Sequence, residues 1–203
     1  GKVHMKALAA LLAALILTGC SSSRWETEYV GVKAPASTGA AEPVEVRSVP
    51  WERVDATLKE LDSEVAASDV PPAYWSVERK ADAHTKLMRG LQVNADPRTV
   101  EVLGRTEFAT NDPMSPGSPG GRAELESFAR KIGADTVVWS SHSLGITDRV
   151  VDRPIRGGRG ELYGIDPAVR AAYSDSETMW VPTRVSSERT AYLAFFLRFV
   201  PER

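Results

Sequence analysis

The chain has 203 residues, 42% of them hydrophobic and 26% charged, with a formal net charge of −2. That length gives one domain with enough apolar surface for its own core. The acidic balance argues against nucleic acid as the main partner, since phosphate binding needs clustered Lys and Arg. A single cysteine rules out an intramolecular disulfide, and two histidines beyond His4 give no metal-ligand spacing.

The N-terminal residues are the most informative. Residues 5–20 read MKALAALLAALILTGC: Lys6 supplies a positive charge, 7–17 are unbroken apolar residues, and a small-residue run ends at Cys20. Eleven apolar residues fall short of the roughly 20 that span a bilayer but suit the apolar region of a signal peptide. Gly1 to His4 lie upstream of Met5, the plausible start. Leu17-Thr18-Gly19-Cys20 resembles the lipobox of bacterial lipoproteins. The resemblance implies export, diacylglyceryl transfer to the Cys20 thiol, cleavage between Gly19 and Cys20, and N-acylation. Three acyl chains would hold the protein firmly, where one binds only reversibly. Ser21, where the enterobacterial sorting rule reads Asp as an inner-membrane signal, implies the periplasmic face of the outer membrane. Loss of Lys2 and Lys6 with the leader lowers the formal charge from −2 to −4.

Residues 21–49 are rich in Ser, Thr, Ala, Gly and Pro and read as a flexible tether, with a coil dimension of roughly 30 Å. Trp25 and Tyr29 read as lipid-interface or linker aromatics, and Val44 to Val46 as a short strand. This divides the chain into a leader (1–19), a lipidated cysteine with its linker (20–49) and a globular domain (50–203).

Within the domain, Val54, Leu58, Leu61 and Val65 recur at helical spacing and predict a helix over 51–67 packed on the domain's own core. Pro71-Pro72 breaks the chain. Val77, Ala81, His84 and Met88 predict a second helix over 76–89. Residues 99–110 read as a strand, 111–121 as a loop, and 122–132 as an amphipathic helix ending at Gly133. Residues 135–143 read as a further strand, so strand, loop, helix and strand form a βαβ-like unit. Residues 149–164 are Arg- and Gly-rich and read as a mobile loop, 166–173 as a short helix, and 178–185 as an edge strand. Residues 189–200 (RTAYLAFFLRFV) predict a strand buried on both faces.

The βαβ-like unit carries one more resemblance. Leu125-x-x-Phe128-Ala129-x-x-Ile132-Gly133-Ala134-Asp135-x-Val137-Val138 is similar to the helix-to-strand turn of the YbjQ-like domain and of the Rcs stress-sensing lipoprotein. It implies a small α+β envelope domain.

Candidate chemistry is sparse. Ser140 and His142 share one face of a strand and are the only nucleophile and base worth pairing, and no catalytic residue is assigned. The loop before the helix at 122–132 lacks the phosphate-loop pattern. Arg149, Arg153, Arg156 and Arg159 form the one basic cluster and read as an anion-binding loop, with Asp148, Asp152 and Glu161 close in sequence. The expectation is a lipid-anchored envelope protein with a non-catalytic binding, sensing or assembly role. It carries no metal and no cofactor beyond the lipid on Cys20. Its partners are the membrane and an envelope protein or anionic envelope component, and its oligomeric state is open. The alternatives are an envelope hydrolase with a dispersed Ser/His/carboxylate site and a small-ligand carrier.

Overall fold

The computed structural model describes residues 22–33, 43–112, 115–155, 160–163, 170–173 and 179–200. The leader, Cys20, Arg156 and Arg159 lie outside them. The elements in order are α1 (Arg24–Thr27), β1 (Tyr29–Gly31), β2 (Glu45–Ser48), α2 (Trp51–Ala66), α3 (Val77–Gly90), β3 (Val100–Thr110), α4 (Pro119–Ile132), β4 (Thr136–Ile155), β5 (Gly160–Tyr163), β6 (Arg170–Tyr173) and β7 (Met179–Phe199). The domain is α+β. Its five-stranded sheet has the order β1-β3-β7-β4-β2, antiparallel except for the parallel β2–β4 pair, and β5–β6 form a separate hairpin.

The βαβ-like unit is β3-α4-β4. Both strands run antiparallel to β7, so they are parallel to each other with β7 between them. That central position requires apolar side chains on both faces, and residues 192–197 of β7 are all buried. Tyr192, Ala194 and Phe196 join α4 and α1 through Leu125, Phe128, Ile132 and Trp25. Leu193, Phe195 and Leu197 pack under α2 and α3 through Val54, Met88 and Leu91. Helices thus cover both faces of the sheet, and α4 buries the whole stripe its sequence period supplies, while α2 buries Val54 and leaves Val65 exposed.

Local chemistry fixes the boundaries. Ser76 and Ser118 cap α3 and α4 by accepting from the backbone N–H of Arg79 and Gly121. Gly133 closes α4 at φ 80°, a conformation glycine adopts without strain. Pro50 occupies the N-cap position of α2 without a side-chain bond. The expected stripe on α3 holds only at its C-terminal end: Met88 is buried, whereas Val77 is exposed.

The expected linker over 20–49 requires correction at residues 22–33; residues 20, 21 and 34–42 lie outside the described residues. Trp25 is fully buried, edge-on to Phe108 at 4.8 Å and to Tyr192 at 6.0 Å. Tyr29 packs edge-on against Phe128 and Phe196, and its hydroxyl donates to the Leu103 carbonyl at 2.9 Å. Composition suggested a tether, but two aromatic rings are enough to hold this short segment on the sheet. Lys33 then reaches Glu101 at 2.7 Å, and Arg198 of β7 meets the same carboxylate at 2.6 Å. Both cations hold the Glu101 carboxyl below its usual range, the Lys33 hydrogen bond most strongly.

Two further expectations are overturned. Residues 149–155 are strand, not mobile loop. Residues 170–173 are strand, not helix. In both cases long-range pairing decides the structure and local composition does not. The expected edge strand over 178–185 is strand from Met179 on with one open edge, and it is continuous with the buried strand as β7.

Candidate interaction site

The sheet ends where its two longest strands do not. β3 stops at Thr110, paired with Thr190, while β4 and β7 run on together. The pairing slips between Ser143 and Ile146, so Leu144 and Gly145 oppose Arg189 alone. This is a β-bulge, which bends and twists a ribbon. Gly145 takes φ 92° there, and its N–H donates to Ser143 Oγ. The Asn111 side chain, just past β3, donates to Thr147 Oγ1 at 2.7 Å and Ser187 Oγ at 3.0 Å. It fastens the root of the ribbon to the body of the domain.

Beyond the bulge, ten residue pairs run from Ile146↔Glu188 to Ile155↔Met179. At about 3.3 Å per residue the ribbon extends roughly 30 Å. It is two strands wide, and most of its described side chains face solvent. Ile146, Val150 and Trp180 are 77%, 58% and 62% exposed. A two-stranded hairpin is marginally stable in water, so a long one with open apolar groups is suited to being covered.

Alternation sorts the charges. Arg149 and Arg153 fall on one face with Val151, Val181 and Val185, the last two being their direct cross-strand partners. Asp148, Asp152 and Glu188 fall on the other face with Ile146, Val150 and Trp180. Arg184 is the one basic side chain there. Arg149 and Arg153 and the neighbouring Asp148 and Asp152 therefore do not share a face. The two-residue period sends them to opposite sides. Asp148 instead accepts a hydrogen bond from Ser186 Oγ on its own face.

The remaining candidates are placed as follows. Ser140 is buried, and its hydroxyl donates to the Val49 carbonyl at 2.9 Å. His142 stacks on Trp51 with ring centroids 5.5 Å apart. The two share a face without a hydrogen bond between them among the described residues. His84 Nε2 lies 2.9 Å from the Pro97 carbonyl. No group of three or more His, Cys, Asp or Glu able to hold a metal occurs among the described residues. No helix there is long and apolar enough to cross a membrane.

Sequence reasoning missed a second basic feature. Arg47 of β2, Arg53 of α2 and Arg89 of α3 line one open groove of about 560 Å³, beside Gln92 at φ 55°. Their separation along the chain hid this, and only the packing of α2 against α3 and the sheet reveals it. Close approach of the two helices depends on Gly90, where a Cβ would lie 2.4 Å from Thr57 Oγ1.

Comparison with known families, curated proteins and solved structures finds no match. A functional reading therefore rests on the residues alone.

Proposed function

We propose that the chain is a lipid-anchored protein of the bacterial cell envelope with a non-catalytic binding or assembly role, exercised through the β4–β7 ribbon. The observation that carries this reading is the ribbon itself: ten residue pairs beyond the sheet, with Ile146, Val150 and Trp180 open to solvent.

The lipobox-like run ending at Cys20 supports the anchor, and Ser21 after it supports the outer membrane. The ordered Trp25 changes what the anchor does. Only Ser21 to Arg24 separate Cys20 from the core, a reach of at most about 18 Å. Arg24 donates to the Ala109 carbonyl at 3.2 Å, at the end of β3 beside the ribbon's root. A lipid on Cys20 would therefore hold the domain close to the membrane with its ribbon-bearing end toward it, not standing off on a long tether.

The test is cross-linking in intact cells with a variant whose residues 146–188 are replaced by an Asn-Gly turn. Membrane retention is expected to persist while cross-linked partners disappear. An unchanged set of partners would sink the ribbon reading. Cys20→Ala is expected to abolish palmitate labelling and release the protein from membranes, and persistent labelling would overturn the anchor.

A further inference from the structure

We propose that the ribbon's partner is a second copy of this chain, stacked basic face on acidic face, and that repetition of this contact builds a multi-copy assembly on the membrane. The inference rests on the reading of the ribbon as the working part, and adds the identity and geometry of its partner.

Spacing carries the first part of the argument. Arg149 and Arg153 are four residues apart on one face, about 13 Å along the strand. Asp148 and Asp152 have the same separation on the opposite face. Sliding one copy along its neighbour by one residue, about 3.3 Å, sets both guanidinium groups over both carboxylates. Glu188 adds a third acid, and Arg184 is the single opposing charge. In the same register Val151 meets Val150 and Val181 meets Pro182, while Val185 falls on Ser186.

Two other occupants fit less well. An anionic lipid surface would cover the Arg149–Arg153 face and leave Ile146, Val150 and Trp180 in water. A lipid-spanning barrel needs one apolar face on every strand, whereas β4 carries charges four residues apart on both faces. Stacking between copies covers both faces, and it joins unlike surfaces. Such a contact leaves one face of each kind open at the ends and therefore continues or closes into a ring.

The area says where this happens. A face two strands wide and roughly 30 Å long buries about 300 Å² per partner, against roughly 800 Å² in a standard interface. The contact is thus weak between free molecules. Anchors near the ribbon-bearing end place all ribbons at one height over the membrane and raise their effective concentration.

The experiment uses the lipidated full chain in phosphatidylcholine vesicles with one cysteine added to each face, Val150→Cys and Val151→Cys together. Oxidation is expected to give a ladder of dimers, trimers and larger species, and Val151→Cys alone is expected to give no disulfide dimer. In the double-cysteine background, Arg149→Glu with Arg153→Glu is expected to cut the ladder at least tenfold. Asp148→Lys with Asp152→Lys is expected to do the same. Mixing these two charge-reversed proteins restores it, because each then offers the other a complementary face. High salt weakens the parent ladder.

A parent that stays monomeric overturns the inference, as does a ladder indifferent to charge reversal. A disulfide dimer from Val151→Cys alone does so too, since it means like faces meet. Retention by anionic vesicles with no ladder would assign the basic face to lipid. Failure here is distinguishable from failure of the ribbon reading. If excising the ribbon removes cellular partners while the vesicle protein stays monomeric, only the second copy is wrong.

Discussion

Trp25 sits only five positions from the cysteine expected to carry the lipid, yet it is as buried as any residue in the sheet. Its carbonyl accepts from the buried Thr106 hydroxyl at 2.7 Å, while its indole N–H has no partner among the described residues. The ring therefore contributes through packing, against the cost of one unpaired donor. Trp25→Ala is expected to lower stability by about 3–5 kcal/mol, as large buried truncations do. Trp25→Phe keeps much of the volume and removes the orphan donor, so it is expected to lose less than half as much. Urea denaturation of the two variants checks the order, and equal losses would show that ring volume is not what matters. Glu101 gives a second residue-scale expectation. Its folded pKa lies below the ordinary 4.5, so its contribution is present above that value and lost as pH falls through the lowered folded value. Glu101→Gln is expected to flatten the acid limb of the stability curve below pH 4.5, with little change in its slope at neutral pH.

Elements show where sequence reasoning succeeded and where physics hid the answer. α4, β3 and the buried half of β7 announce themselves by period, because each buries a stripe or a strand against a core, whereas α2 and α3 bury only one end of theirs. β1 is hidden by its brevity. Three residues carry no period, and the packing of Tyr29 on the sheet depends on a close approach at Gly104. A Cβ on Gly104 would lie 2.5 Å from the Val30 carbonyl and 2.6 Å from the Tyr29 ring. Gly104→Ala is thus expected to push β1 off the edge of the sheet while β3 and β7 stay paired. Hydrogen exchange would read this as lost protection at the amides of β1 and retained protection in β7. Loss of protection across the whole sheet would refute this local role. The ribbon is hidden for a different reason. Arg, Asp, Gly and Pro between 144 and 188 are what an exposed strand pair carries on both faces, and the same composition describes a loop. Only the pairing with β7 distinguishes them. The basic cluster was legible as a list of arginines, but its separation from Asp148 and Asp152 needs the strand period.

At the scale of the molecule, α1 and the ribbon belong to one end. Arg24 lies beside the end of β3, the ribbon leaves beside that same end, and the intervening sheet fixes their relation. The proposed lipid on Cys20 would then set the orientation of the domain as well as its address, because the leash of four residues between Cys20 and Trp25 reaches less far than the ribbon extends. Ten Gly and Ser residues inserted after Ser21 would add a coil of about 17 Å, enough to loosen that orientation. The insertion touches no core residue, so stability and palmitate labelling are expected to stay unchanged. A fluorophore attached through Val150→Cys in the parent is expected to be quenched by nitroxide-labelled lipid headgroups, and the insertion is expected to reduce that quenching at least twofold. Quenching that is already absent in the parent would mean that the short leash does not hold the ribbon near the bilayer. Equal quenching in both proteins would mean that something other than the leash does.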